Sequence, residues 1–500
     1  MLLPLGMTRL APPSLILSIA LALSTPLSTP VFAQSPETVA ALKTQLEALE
    51  RQLQALRNGT GGETAKPAAA ATATIEERLE ELDAQIRVLA RQMEIDKEQA
   101  AAAAKSAPVV QAARDGFSFR SADGAFRLRL RGYVQSDGRF FLEDDTRPAV
   151  DTFVMRRVRP IVEATLFNQF DFRIMPDFGG GSTVLQDAYI DARFRPDFKV
   201  RAGKFKPPFG FERLMSATEL PFIERALPTA LVPNRDVGVM VHGDLLSGNL
   251  SYAGGIFNGV PDGGSADSDG QDGKDIVARV FVQPFRAVRD SLWQGLGAGI
   301  AVSHGVQHGS PTSTILPTFR TSGQQPLFSY LGQEAGGPAA FSDGYHTRVS
   351  PQFHYYFRSY GVIGEYVYSS GNVRRGNGAA VLDNSAWQIA GSWVVTGETP
   401  SYRGVTPRSA FDPKNGKWGA LEIVGRYHEL RIDPDTFPLF ASAVASARSV
   451  DGWTLGTNWI LNTGVKISAN FEHLNFTGGA AAGANREAEN AVLSRIQIAF

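Results

Sequence analysis

Ala125-Phe126-Arg127-Leu128-Arg129-Leu130-Arg131-Gly132-Tyr133-Val134-Gln135 repeats with a period of two. Phe126, Leu128, Leu130 and Val134 share one face. Arg127, Arg129, Arg131 and Gln135 share the other. A period of two is the signature of a strand that is apolar on one side and polar on the other. A soluble sandwich turns the apolar side inward. An outer-membrane barrel turns it to lipid and lines its lumen with the polar side.

The pattern recurs outward from this stretch to the end of the chain. Phe170, Phe172 and Ile174 alternate with Asp171 and Arg173. Ala188, Ile190, Ala192 and Phe194 alternate with Asp187, Asp191 and Arg193. Later runs fall at 276–283, 296–303, 345–356, 360–369, 386–396, 419–429, 450–461, 465–476 and 490–500. Glycines sit inside strands, and short turns alternate with long Gly/Asp/Ser-rich connections at 259–275, 305–343, 370–385 and 397–417. These are read as external loops. The chain ends in Phe500, with Ile498, Ile496 and Val492 on the same face, which resembles the sorting signal of outer-membrane proteins. These features favour an all-β transmembrane antiparallel barrel over residues 116–500. Its length gives about 24 residues per strand and connection for sixteen strands, where a membrane strand needs roughly 9–11; fourteen or eighteen strands fit as well.

Composition removes several other classes. Lys+Arg (49) and Asp+Glu (50) cancel to a net charge of −1, which excludes a nucleic-acid binder working through bulk positive charge. Without cysteine there are no disulfides, thiolate metal sites or cysteine nucleophiles. Gly-x-Ser-x-Gly, His-Glu-x-x-His and Walker A motifs are missing, so no catalytic residue, metal or cofactor is assigned. Asp262, Asp267, Asp269, Asp272 and Asp275 lack EF-hand spacing and read as a solvated loop.

The N-terminus carries an address. Arg9, the apolar stretch Ser14–Leu23 and Val31-Phe32-Ala33 make residues 1–33 a secretory signal peptide, with a short membrane anchor as the alternative. Two heptad seams follow within 34–98. Val39, Leu42, Leu46, Leu49, Leu53 and Leu56 form the first. Ile75, Leu79, Leu82, Ile86, Leu89 and Met93 form the second. Such seams bury against other helices, either in an oligomer or as an intrachain hairpin. Residues 58–74 read as a Gly/Ala/Pro linker and 99–115 as an Ala-rich tether, placing a periplasmic helical coiled-coil extension before the barrel.

Cations at strand spacing point to the lumen. Arg127, Arg129 and Arg131 share a face, as do Arg157 and Arg159, and Lys199 and Arg201. On lipid each would cost roughly 2–4 kcal/mol near the midplane. In the lumen they make an anion path, or pair with lumen carboxylates such as Asp171, Asp187, Asp191 and Glu163. The stretch from Gly203 to Asp236, including Lys204-Phe205-Lys206-Pro207-Pro208-Phe209-Gly210-Phe211-Glu212-Arg213, is too long for a turn and too apolar for an exposed loop. It reads as a constriction loop, about 206–235, folded into the barrel.

This loop, with Arg156-Arg157 and Asp187-Ala188-Tyr189-Ile190, resembles the phosphate- and polyphosphate-selective porin family, porins O and P. The resemblance implies a homotrimer of sixteen-stranded barrels whose third loop folds inward. It places a phosphate site on Arg213, Ser216 and Arg225, and paired arginines of the second strand at Arg156 and Arg157. Alternation sends those two to opposite faces unless the strand is bulged there. The chain departs from the family pattern at Ala217, where serine is usual, and at Arg213, where lysine is usual.

The reading that follows is a passive anion-selective porin for phosphate or polyphosphate in a Gram-negative outer membrane. Its partners are these anions, outer-membrane lipid, two further copies of the chain and the barrel assembly machinery. The alternatives are a general or other-anion porin of the same build, and a trimeric coiled-coil adhesin with a membrane anchor. The adhesin needs a short anchor and a long passenger, the reverse of this chain.

Overall fold

A computed structural model describes residues 44–45, 47–55, 69–113, 116–143, 149–288, 291–333 and 337–500. The signal peptide, the first residues of the first heptad seam and linker residues 58–68 lie outside them. The chain divides into two units, Met1–Ala107 and Pro108–Phe500.

In the first unit, 47–55 are helical and a continuous helix α1 runs from Ala69 to Ser106. The linker of 58–74 therefore gives way to helix by Ala69. The tether of 99–115 is helical as far as Ser106 and then extended, which corrects both boundaries. Alanine is the best helix former, so an Ala-rich run continues a helix instead of interrupting it. Pro108 stands just past the helix end, where the residue before a proline is driven out of the helical region.

The second unit opens with a hairpin, β1 (Val109–Ala113) and β2 (Gly116–Arg120). The barrel strands follow as β3 (Arg127–Leu142), β4 (Thr152–Leu166), β5 (Phe170–Asp177), β6 (Val184–Arg195), β7 (Phe198–Phe205) and β8 (Asp236–Leu245). Next come β9 (Leu250–Phe257), β10 (Asp275–Val282) and β11 (Leu296–His308). A small separate hairpin, β12 (Thr318–Arg320) and β13 (Pro326–Ser329), lies within a connection. The rest are β14 (Phe341–Phe357), β15 (Tyr360–Arg375), β16 (Gly378–Val394), β17 (Ala420–Arg431), β18 (Ala447–Ile460), β19 (Val465–Gly478) and β20 (Glu489–Ala499). The large sheet has 18 strands; without β1 and β2, sixteen antiparallel strands form a closed ring. β20 closes it against the upper part of β3, Ala499 opposite Tyr133 and Asn490 opposite Leu142. β2 occupies the lower part of β3, from Arg127 to Leu130. Phe500 ends the seam: its N–H donates to Gly132 O at 3.0 Å, and its ring lies 6.4 Å from that of Phe117. Closure pairs the backbone N–H and C=O groups that lipid could not satisfy.

The faces are those of a membrane barrel. Ile190, Val239, Ile256, Ile276, Leu455 and Ile496 are exposed outward, while Gln135, Asp137, Arg348, Ser350, His428 and Asn458 are buried inward. Two loop assignments are corrected. Residues 370–385 are the ends of β15 and β16 joined across Gly376-Asn377. Ser369, Ser370, Asp383 and Asn384 interrupt the apolar alternation there, and Val373 and Leu382, buried together in a small apolar cluster, are too few to restore it. Residues 395–419 join β16 to β17 at the end of the barrel that holds Phe500, here the inner end, and so are not external.

The connection from β7 to β8, residues 206–235, is packed inside the ring. Phe209, Leu231 and Val232 are fully buried against lumen-facing Phe205, Phe257, Val277 and Val367. Each such side chain contributes about 1.5–3 kcal/mol to docking. Wall side chains also hold the loop backbone. Lys466 Nζ donates to Leu220 O (2.9 Å), Asn458 Nδ2 to Pro221 O (2.8 Å) and Gln135 Nε2 to Ala217 O (3.0 Å), while Asn470 Oδ1 accepts from Ile223 N (2.8 Å).

Candidate functional site: the constriction

One carboxylate organises the loop. Glu224 receives Arg156 Nε at 2.5 Å, Arg157 Nη2 at 3.3 Å and Arg495 Nη2 at 3.3 Å. Burial alone pushes the Glu224 carboxyl up, but Arg156, Arg157 and Arg495 outweigh it and hold it well below the usual range. Both paired arginines reach the lumen because the β3–β4 register slips there: Gln135 faces Arg157 and Ser136 faces Met155, leaving Arg156 as the extra residue of a bulge. Arg159 is also engaged, by Asp177 Oδ2 (2.7 Å) and Tyr133 Oη (2.8 Å).

The remaining ladder residues divide by depth. Arg131 and Arg129 approach Glu163 at 3.4 and 3.9 Å, and Arg201 donates to Asp191 at 2.6 Å while lying over the Tyr189 ring. Lys199 stands two residues nearer the inner end than Arg201. Arg127 is exposed on the segment of β3 beyond the closing seam. The ladder arginines are thus largely paired with carboxylates, one of the two arrangements the sequence allows.

Arg213 and Arg225 differ. Arg213, on the short helix α2 (Phe211–Leu214), donates to Thr229 O (2.7 Å) and Asn234 Oδ1 (3.1 Å), and its Nε is buried without a partner. Arg225 donates to the carbonyls of Glu212 (3.0 Å) and Met215 (2.9 Å). Lys206 Nζ also reaches Met215 O at 2.9 Å. Among the described residues none of the three forms an ion pair. Burial, with Arg225 and Arg235 close by, brings Arg213 down to about 9. Burial also brings Arg225 down to about 10, with Glu212 opposing and Arg235 adding to the fall. Burial together with Arg225 and Arg235 draws Lys206 well below its ordinary value. The two arginines remain cations at neutral pH, with carboxylates nearby but none in direct contact among the described residues. Ser216, exposed, has its hydroxyl 2.8 Å from that of Thr218.

The loop separates two cavities of 580 Å³ each. The inner one is lined by Ser216, Lys206 and Arg131, and the outer one by Arg213, Arg156 and Arg157. Arg159, Arg225 and Arg235 line both, and so stand at the neck between them. Arg235 is held by Asp187 Oδ1 (3.2 Å) and Asn234 Oδ1 (2.8 Å). Sequence reasoning placed Arg159 in the ladder and passed over Arg235 as a site residue. The only local signal was its position at the far end of the apolar loop, just before β8.

A closed sixteen-stranded barrel, polar within and narrowed by an inward loop, defines an outer-membrane porin. The chain belongs to the family of phosphate-selective porins O and P, whose profile matches residues 126–500. This is a family of channels, not enzymes. The chain is 24% identical to porin O of Pseudomonas aeruginosa over 410 residues, covering 73% of this chain and 86% of that protein. Among solved structures it is similar to the outer-membrane channel DcaP of Acinetobacter baumannii, with 11% identity, TM-score 0.49 and coverage of 76% of this chain and 99% of that one. It is also similar to an anion-selective porin from Comamonas acidovorans, with 12% identity, TM-score 0.46 and coverage of 75% and 100%.

Proposed function

We propose that the chain is a passive, anion-selective pore through which phosphate or polyphosphate crosses the outer membrane, held at Arg213, Ser216 and Arg225 in the constriction. The observation that carries this reading is that, among the described residues, Arg225 at the neck and Lys206 and Arg213 on either side of it have only neutral hydrogen-bond partners. A unit charge at about 4 Å from another is worth about 1 kcal/mol in bulk water and about 4 at an effective dielectric near 20. Two converging arginines, with the Lys206 amine beside them, therefore offset much of an anion's dehydration, and a planar guanidinium suits phosphate oxygens. Arg159 and Arg235 extend the site, while the paired arginines on either side give a shallow series of steps that lets the anion leave.

The experiment is single-channel recording in chloride with and without phosphate. The expected result is reversal potentials on the anion side and a chloride current blocked by phosphate. Arg225→Glu should shift permeability toward cations and abolish the block in a folded protein. A current that phosphate leaves unchanged would favour a general anion porin of the same build.

Assembly as a homotrimer belongs to the same proposal. Tryptophan and tyrosine anchor lipid-facing walls at the membrane interfaces. They decorate the outer face of β14–β18, at Tyr345, Tyr360, Trp387, Trp393 and Trp453. The outer face of β2–β7 shows Phe117, Phe153, Phe170, Ile190 and Phe194, without an exposed tryptophan or tyrosine among its described residues. That wall suits contact with other copies, and the seam of α1 suits a periplasmic coil joining them. Phe500, at the end of the closing strand, is the feature offered to the barrel assembly machinery.

A further inference from the structure

A third cavity, of 680 Å³, opens at the inner end and shares no lining residue with either cavity of the constriction. Its wall is aromatic. Phe211 of α2 lies 5.1 Å from Tyr402, 5.7 Å from His354 and 6.1 Å from Phe281, and Tyr356 lies 4.9 Å from His354. Tyr402 comes from the 395–419 connection, which enters from the inner end and donates its hydroxyl to Phe211 O at 3.3 Å. Constriction loop and connection together form a partition, and this basin lies on its far side.

The basin is also cationic. Arg279, Arg286 and Arg403 line it against a single carboxylate, Asp244. Arg279 lies 4.7 Å over the Phe281 ring and donates to the neutral Gln352 Oε1 at 2.9 Å. Among the described residues none of the three arginines is in an ion pair with a carboxylate. His354 is 3% exposed, yet its Nδ1 has no partner. Elsewhere in this lumen, arginines at the wall mostly face carboxylates. Here Arg279 lies over a ring, Arg286 donates to Gly248 O at 2.9 Å, and Arg403 is exposed.

We infer that this basin is a second binding site, for an aromatic carboxylate. The ring of such a ligand stacks on the half-buried rings of Tyr402 and Tyr356, which the buried Phe211 backs; offset and edge-on contacts are favourable there. Its carboxylate has the planar shape that a guanidinium grips with two parallel bonds. The volume falls in the range of about 300–1,000 Å³ typical of small-molecule sites. Orthophosphate gains nothing from the aromatic wall, and a neutral aromatic gains nothing from the arginines. The site is distinct from the neck, so the two kinds of anion do not compete for the same side chains.

The test is titration of the detergent-solubilised full-length protein with benzoate, acetate and phosphate, read by calorimetry. Benzoate should bind about tenfold more tightly than acetate, as one added aromatic contact of ordinary strength provides. Arg279→Gln and Tyr402→Leu should each remove that advantage while phosphate block of the current persists. Arg225→Glu should abolish phosphate block and leave benzoate binding intact. Arg403→Gln, on an exposed side chain, gives a variant that does not threaten folding and should weaken benzoate too. Benzoate binding no tighter than acetate would overturn the assignment. So would benzoate binding that disappears with Arg225→Glu and survives Arg279→Gln and Arg403→Gln, because the ligand would then sit in the neck.

Discussion

Glu224 shows how one side chain sets the shape of a pore. Its carboxylate gathers three guanidiniums from β4 and β20, and Arg426 grips its carbonyl oxygen at 2.8 Å. Removing one member of a buried charge cluster leaves its partners unpaired, so Glu224→Ala should cost about 3–5 kcal/mol. Denaturant unfolding of the purified protein reads the loss, and a variant as stable as the parent would refute the clamp. The pH dependence has a definite sign. Glu224 is held below the unfolded carboxylate value of about 4.3, so its contribution is full above that value. It is lost only as pH falls through the lower folded value. Channel conductance should therefore show the same constricted state at pH 7 and pH 5, which paired recordings at those two values check. A widened channel at pH 5 would mean that the clamp titrates earlier than its surroundings allow.

At the level of the element, the constriction loop is held by apolar burial as much as by charge. Phe209 is fully buried against Leu231, Val232 and lumen-wall residues, and Phe→Ala at such a site costs about 3–5 kcal/mol. Phe209→Ala should loosen the loop and raise single-channel conductance with weaker phosphate block. Unchanged conductance would show that the polar contacts alone suffice. The loop was legible in the sequence because a long apolar stretch between two membrane strands has nowhere to go except the lumen. Most strands were legible for the same physical reason: lipid outside and a polar lumen inside enforce alternation. Alternation fails where outward positions leave the lipid and carry polar residues, as Asn372, Arg374 and Asp383 do while Val373 and Leu382 pack inward, which is why β15 and β16 run on through 370–385 without a readable pattern. It also carries no sign of which end a connection occupies, so the stretch 397–417 reads as external although the connection that holds it lies at the inner end. The β4 bulge was legible only as a condition, since Arg156 and Arg157 could share the lumen only if the strand slipped. Arg159 and Arg235 gained their place at the neck from tertiary packing, which joins residues from β4 and the end of the loop with no common spacing between them.

At the scale of the whole molecule, the distribution of aromatic residues around the barrel separates two walls that a hydropathy pattern treats alike. Ile190 on β6 and Ile423 on β17 both point outward and are comparably exposed, at 56% and 45%. The first belongs to the wall on which no described tryptophan or tyrosine is exposed, the second to the wall that bears Trp387, Trp393 and Trp453. A lysine facing lipid costs roughly 2–4 kcal/mol near the midplane and less toward the interfaces, where its chain can reach the headgroups. A lysine facing an identical wall in a tight interface lacks that escape, because the neighbouring protein blocks the way to water. Like charges from neighbouring copies would also be brought together. Ile423→Lys should therefore lower the unfolding temperature and leave the assembly a trimer. Ile190→Lys should release monomers that retain the barrel. Light scattering with gel mobility before and after heating distinguishes the two outcomes. If both variants remain trimers with equal loss of stability, the two walls are equivalent, and the β2–β7 wall faces lipid like the rest.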